Sequence, residues 1–232
     1  MAQNHRSTEN PQGSGAKPSI AILGGTGALG SGLAKQWARR GYPIIIASRS
    51  RDKAVKAAEP LRAQLPGAHI EADELAPAAQ RAQIVALTVP YEAHHGTLMA
   101  VRGALDGKIL IDATVPLKPP KVGTVQLPAA GCAAVEAQQL LGPQVKVVSA
   151  FQNIAAEKLA ADELPECDVL VCGDDVAARD TVIGLIEAIG LKGWPAGPLA
   201  NSAASEALTS VLIQINRKFG VKGAGLRIVL GK

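Results

Sequence analysis

From Ser19 onward the chain repeats one pattern, a short unbroken run of largely β-branched apolar residues followed by a longer amphipathic stretch. The runs are SIAIL (19–23), PIIIAS (43–48), IVALTV (84–89), KILIDAT (108–114), VKVVSAF (145–151) and DVLVCG (168–173). Runs that are apolar throughout, rather than at alternate positions, belong to strands covered on both faces. Such strands separated by helices build parallel βαβ units. Helical patterns occupy 28–40, 51–64, 74–82, 91–105, 129–141, 154–163 and 176–189, the last opening on Gly-Asp-Asp and closing at Gly190. A weaker strand is expected at HIEA (69–72).

Beyond Gly190 the character changes. GWPAGPLA reads as a turn-rich connector, 201–219 as one long helix, and LRIVL (226–230) as a closing strand. The helix carries small residues (Ala203, Ala204, Ala207) and an apolar side (Leu208, Val211, Leu212, Ile215) suited to the strand ends or to a second subunit. The expected fold is α/β, a Rossmann-type doubly wound, mostly parallel sheet over 19–190, with a small C-terminal helical subdomain over 191–232. Residues 1–18 are polar, contain Gly and Pro, and lack the apolar stretch of about 7–15 residues of a signal peptide, so a disordered leader is expected. No apolar run approaches the ~20 residues of a membrane span.

Composition narrows the function classes. A net charge of +4, not gathered in one run, excludes a tail that coats polyanions, and 3% aromatic residues leave few stacking platforms for nucleic acid. Cys132, Cys167 and Cys172 show no CxxC spacing, which argues against a structural zinc site and a disulfide framework and for a reducing, cytoplasmic setting.

The strongest chemical signal is SIAILGGTGALGSGLAKQW, in which Gly25-x-Gly27-x-x-Gly30 leaves a strand and enters a helix. In that context Gly25 permits the tight turn, Gly27 admits a pyrophosphate to the backbone, and Gly30 lets helix and strand approach. The helix N-terminus offers free N–H groups to the anion. At the end of the next strand a cofactor without a 2′-phosphate usually meets a carboxylate. Here the residues are Ser48-Arg49-Ser50-Arg51-Asp52-Lys53, a hydroxyl and cations suited to a 2′-phosphate, so NADP(H) is expected over NAD(H). Cations are unfavourable at a helix N-terminus unless an anion accompanies them. Thr88-Val89-Pro90-Tyr91 and Ala113-Thr114-Val115-Pro116 end later strands, where ligands of open parallel sheets bind.

LGGTGALGSGLA, IIIASRSRDKA, ALTVPYEAH, VVSAFQNIAAEKLA, VLVCGDD and AGPLANSAASEALTSVLIQINR, in that order, resemble the NADP-dependent reductases of the deazaflavin coenzyme F-420. The resemblance runs from residue 19 to about 230. It implies reversible hydride exchange between nicotinamide C4 and deazaflavin C5, a homodimer, and a C-terminal part that closes the deazaflavin cleft. It implies no catalytic side chain, since positioning the two rings suffices. By the same resemblance Thr26, Ala28 and Leu29 join Gly25, Gly27 and Gly30 at the pyrophosphate. Ser48, Arg49 and Lys53 take the 2′-phosphate, and Thr88, Val89 and Pro90 border the riboses. Gln152, Asn153, Ile154, Ala155 and Ala156 form the loop that holds the carboxamide and one face of the deazaflavin, and Thr209 lies near the deazaflavin on the long helix. Many members carry His where this chain has Gln152, and some carry Ser where it has Ala207. Gln152 donates to a ring oxygen but cannot become cationic, leaving charge support to Arg217, Lys218, Lys222 and Arg227 near the C-terminus.

His94 and His95 lack an oriented Ser, Cys or Asp partner at recognisable spacing and read as a hydrophilic helix face. The cysteines read as small apolar residues. Asp112 and Glu206 are candidate acid–base groups, with hydrogen bonding within the fold as the plainer role. Two other functions fit the first domain. One is an NADPH-dependent reductase of an imine, ketone or flavin-like acceptor, and the other is a non-catalytic NADP(H) sensor.

Overall fold

The computed structural model describes residues 16–160, 164 and 166–231. Most of the expected leader, 1–15, lies outside the described residues, as does 161–163, the end of the helix expected over 154–163.

The strands are β1 (Ile20–Leu23), β2 (Ile44–Ser48), β3 (Ile70–Glu74), β4 (Ile84–Leu87), β5 (Ile109–Asp112), β6 (Lys146–Ser149), β7 (Asp168–Gly173) and β8 (Lys192–Pro195). They form a sheet in the order β3-β2-β1-β4-β5-β6-β7-β8. Every neighbouring pair is parallel except β6 and β7, which run antiparallel through Val148 opposite Gly173 and Ser149 opposite Cys172. The chain leaves β1 toward β2 on one side and returns to β4 on the other. A crevice therefore opens above the carboxyl ends of β1 and β4, where the winding direction reverses.

The helices are α1 (Ala28–Arg39), α2 (Arg51–Gln64), α3 (Leu75–Arg81), α4 (Tyr91–Val101), α5 (Ala133–Leu141), α6 (Ala156–Leu159), α7 (Val176–Ala188) and α8 (Ser202–Phe219). Two apolar layers explain the unbroken strand runs. Ile20 and Ile22 of β1 pack with Leu33 and Trp37 of α1, Ala54 and Ala58 of α2, and Val182 and Leu185 of α7. Ala21 and Leu23, pointing the other way, pack with Leu75 and Ala78 of α3, Leu98 and Val101 of α4, and Ala134 and Ala137 of α5. Asp175 caps α7 by accepting from the Ala178 amide at 2.8 Å, as the Gly-Asp-Asp signal implies.

Several sequence expectations are corrected. GWP is not a connector: Lys192–Pro195 forms edge strand β8, pairing in parallel with β7. The expected boundary after Gly190 thus falls within a β7–α7–β8 unit. LRIVL forms no strand. It runs beside β7 through two bonds, Asp168 N to Leu226 O at 2.7 Å and Ile228 N to Asp168 Oδ2 at 2.6 Å, while Val229 and Leu230 stay exposed. The pattern over 91–105 breaks into α4 and a 3-10 turn, Arg102–Ala104, and the pattern over 129–141 becomes helical only at Ala133. On α8 the expected apolar side is divided: Leu212 is buried with Ser202, Ser205, Glu206 and Ser210, whereas Val211 and Ile215 are 46% and 39% exposed and do not pack on the strand ends.

Candidate active site

The turn from β1 into α1 is built from backbone that a side chain would obstruct. Gly24 has φ +87°, and a Cβ there would sit 2.8 Å from Val89 Cγ1. At Gly30 a Cβ would meet Thr88 Oγ1 at 2.6 Å, Gly24 O at 2.7 Å and Gly25 Cα at 2.8 Å. Gly27 is the N-cap of α1, extended and without a side-chain cap, and the first turn carries no acidic residue. Its free N–H groups and the positive end of the helix dipole therefore face outward toward an anion. Thr88, the first residue past β4, is held by its amide and its hydroxyl on Leu23 O, at 2.9 and 3.0 Å, which fixes one wall.

Between these walls lies a cavity of about 300 Å³. Gly24, Thr26 and Gly27 line it from the glycine turn, Ser48, Arg49 and Lys53 from the end of β2 and the start of α2, and Thr88, Val89 and Pro90 from the end of β4. Gly25 and Gly30 are buried beneath the turn, and Ala28 and Leu29 form the first turn of α1. Among the described residues Arg49 and Lys53 have no hydrogen bond or ion pair with the protein, so their charge is available to a ligand. Sequence reasoning missed Gly24, Ser50, Leu75, Ala93 and Thr97, which also line the cavity. The Gly24-Gly25 doublet directly after an apolar run was the available signal for the first. Ser50 adjoins Arg49 in the segment already singled out, and Leu75, Ala93 and Thr97 are brought in by tertiary packing.

The second group of expected residues surrounds the turn after β6. Phe151 has φ +74° although it is not glycine, and it is buried with its ring edge-on to Trp37, centroids 5.9 Å apart. Gln152 Nε2 donates to Asp112 O at 2.8 Å, and Asn153 Nδ2 donates to Ser205 O at 2.7 Å and Thr209 Oγ1 at 3.2 Å. Thr209 Oγ1 returns a bond to Gln152 O at 2.9 Å. Gln152 Oε1 is buried without a protein donor among the described residues. Ile154 is buried, Ala156 opens α6, and Ala207 is half-buried on α8. None of these residues lines the cavity above. The two groups are tied by α1: a Cβ on Gly32 would lie 2.7 Å from Leu159 Cβ, and Gln36 Nε2 donates to Leu159 O at 2.7 Å.

Three of the four C-terminal cations, Arg217, Lys222 and Arg227, are not gathered. Arg217 lies by Gly123, Lys222 sits with Glu157 and Lys158, and Arg227 pairs with exposed Glu166 at 3.0 Å.

His94 does not belong to a hydrophilic face. It is 3% exposed, with Nε2 2.8 Å from Oδ2 of fully buried Asp112. Burial disfavours the imidazolium, but the hydrogen bond and charge of Asp112, with Glu136 and Glu206 beyond, outweigh it and raise the His94 pKa. Glu206 is 1% exposed and accepts from the Ala133 and Ala134 amides at 2.7 and 3.2 Å, at the start of α5. Burial lifts its pKa to about 8 against the pull of those amides. Tyr91 is pushed up to about 12 by burial and by its bond to Glu136. All three cysteines are free and buried, and burial raises each thiol.

Three comparisons bear on this geometry. Residues 19–116 match the family model described as NADP oxidoreductase, coenzyme F420-dependent. The "F420-dependent NADP reductase" of Methanocaldococcus jannaschii is 40% identical over 218 residues, covering 90% of this chain and 97% of that protein. Its namesake in Methanothermobacter marburgensis is 38% identical over 217 residues, with coverage of 90% and 97%. Among solved structures, a putative F420-dependent NADP-reductase from an Arthrobacter species superposes with a TM-score of 0.79 at 25% identity, covering 92% of this chain and 100% of that one.

Proposed function

The chain belongs to the coenzyme F420-dependent NADP oxidoreductases, and from that premise we propose how its residues divide the work of an enzyme that transfers a hydride reversibly between NADP(H) and coenzyme F-420. The observation that carries the reading is the cavity beside the glycine turn, where an uncapped helix N-terminus and two unpaired cations converge. Both features suit the two anionic groups of NADP(H), its pyrophosphate and its 2′-phosphate. Bound NADP(H) and F-420 supply the reacting carbons, nicotinamide C4 and deazaflavin C5.

In this reading Gly25, Gly27 and Gly30, with Thr26, Ala28 and Leu29, present the α1 amides to the pyrophosphate. Ser48, Arg49 and Lys53 hold the 2′-phosphate, Arg49 by a two-pronged contact and Lys53 as a point charge. Thr88, Val89 and Pro90 wall the ribose side. The turn Gln152-Asn153, with Ile154 and Ala156 behind it and Ala207 and Thr209 across it, receives the rings. The unpartnered buried oxygen of Gln152 supports a ligand N–H at that turn. The protein's catalytic task is positional, to hold two carbons at transfer distance and exclude water.

A homodimer is supported by the exposed apolar stripe Val211, Ile215 and Phe219, spaced four residues apart on α8. A cytoplasmic location is supported by the three free cysteines. No helix among the described residues is long and apolar enough to cross a membrane.

The test is anaerobic mixing of the protein with NADPH and oxidised F-420, following the deazaflavin's visible absorbance, with NADH and flavin mononucleotide as controls. Bleaching with NADPH and F-420 together is the expected result. NADPH binding with no bleaching would overturn the acceptor.

A further inference from the structure

The turn that carries Gln152 and Asn153 is strained and held from several sides. Phe151 adopts a left-handed backbone that an L side chain rarely takes, and its ring is locked against Trp37, whose Nε1 donates to Leu185 O at 3.0 Å. On the α8 side Asn153 and Thr209 close a ring of bonds with Ser205 O and Gln152 O. On the β5 side the side-chain anchor of Gln152 is one atom, the carbonyl oxygen of Asp112, which also accepts the Ala150 amide at 3.2 Å.

Asp112 is itself held unusually. Its carboxylate is fully buried, Oδ1 accepts the Thr114 amide at 2.9 Å, and Oδ2 faces His94 Nε2 at 2.8 Å. A buried carboxylate is tolerated only when paired, so His94 is its counter-ion. The groups facing His94 are Asp112 from β5, Glu136 from α5, Glu206 from α8, and Tyr91 and His95 from its own helix. Glu136 is committed to Tyr91 Oη at 2.9 Å and Glu206 to the Ala133 and Ala134 amides. That leaves Asp112 as the hydrogen-bonded partner of His94. A continuous path therefore runs from His94 through Asp112 and Gln152 to Thr209, joining α4, β5, the turn and α8.

We propose that His94 and Asp112 are positioning residues for the acceptor: as a buried ion pair they pin the end of β5, and through Asp112 O they hold the Gln152-Asn153 turn in its receiving geometry. The inference rests on the reading of that turn as the acceptor site. Neither residue lines the cavity beside the glycine turn, so the dyad acts on the rings at the turn and leaves the pyrophosphate and 2′-phosphate contacts, which dominate NADP(H) affinity, alone. Removing His94 strands a buried carboxylate, which must then protonate or turn away, and the carbonyl that anchors Gln152 moves with it.

The experiment compares His94→Ala, His94→Gln and Asp112→Asn with the unmodified protein. Three quantities are read: KM and kcat for F-420, Kd for NADPH, and deuterium uptake of the peptide covering 150–156. His94→Ala should raise KM for F-420 about tenfold and speed exchange in 150–156, with Kd for NADPH within about twofold of the unmodified protein. Asp112→Asn, which keeps an acceptor for the Thr114 amide but ends the ion pair, and His94→Gln, which keeps a donor without the charge, should show the same split at smaller amplitude, on the order of threefold in KM for F-420. If His94→Ala fails to fold, the same split in the two conservative variants decides. Unchanged KM and exchange in the variants, while the unmodified protein does reduce F-420, would overturn the inference, as would a parallel loss of NADPH affinity. Absence of F-420 reduction by the unmodified protein would defeat the acceptor reading instead, and the exchange of 150–156 would still report whether the dyad holds the turn.

Discussion

Single residues act in this protein chiefly through their charges and where the partners of those charges are. Arg49 and Lys53 are cations at the cavity with no protein counter-ion among the described residues, whereas Arg227 has Glu166. Replacing both Arg49 and Lys53 by Ala should raise KM for NADPH by roughly one to two orders of magnitude and erode the preference over NADH. Steady-state kinetics with both nucleotides checks this, and an undiminished preference would contradict the assignment. The buried acids make a second prediction, about stability. Glu206 has a folded pKa raised to about 8, so the folded protein holds a proton that the unfolded chain releases near the ordinary carboxylate value. Its contribution weakens as pH rises between those two values. His94, also raised, adds stability that is full below its unfolded pKa near 6.5 and is lost as pH climbs through the folded one. The thermal midpoint should therefore fall from about pH 5 toward pH 9, and Glu206→Gln should flatten that fall. A midpoint that rises over the same range would refute the burial argument.

At the scale of elements, legibility followed local chemistry. The strands β1, β2, β4, β5, β6 and β7 were legible because continuous β-branched runs have no other packed fate. Helix α2 was legible over its full length, Arg51–Gln64. Strand β8 was not, because Lys-Gly-Trp-Pro lacks an apolar run, and an edge strand tolerates Gly and Pro that an inner one would not. LRIVL misled in the opposite sense: β-branched residues fit a strand, yet only the Asp168 contacts receive it. The cavity's glycine and cation walls were legible from motif and spacing, whereas His94 was not. Its partner Asp112 lies on a strand, and no helical or strand period links the two. Glycines at element junctions carry the sharpest prediction here. A Cβ at Gly30 would meet backbone atoms of Gly24 and Gly25 that cannot yield, so Gly30→Ala should cost about 1–3 kcal/mol and weaken NADPH binding. Gly67→Ala, where a Cβ meets nothing, has only its positive φ to oppose it and should leave NADPH affinity unchanged. Denaturant titration and NADPH binding on both variants separate the two cases, and equal NADPH affinity in both would contradict the close-approach argument.

At the scale of the whole molecule, two constructions meet above the sheet: the glycine cavity over β1, β2 and β4, and the strained turn after β6 gripped by β5 and α8. Helix α1 runs from the first and packs on α6 behind the second, so the distance between the two sites is fixed by packed secondary structure rather than by a loop. The exposed stripe on α8 gives this arrangement an outer face that a second copy would cover. Ile215→Asp with Phe219→Asp should shift the protein toward monomer by sedimentation, and a monomeric unmodified protein would remove the dimer from the reading. In the proposed reaction the chain positions two coenzymes for direct hydride transfer, and no side chain enters the chemistry. The measurement that reaches it most directly is a single turnover of NADPH deuterated at both C4 positions with oxidised F-420, followed by analysis of the reduced deazaflavin. Deuterium retained at C5 is the expected result. Deuterium lost to solvent, or no transfer from a protein that binds NADPH, would contradict it.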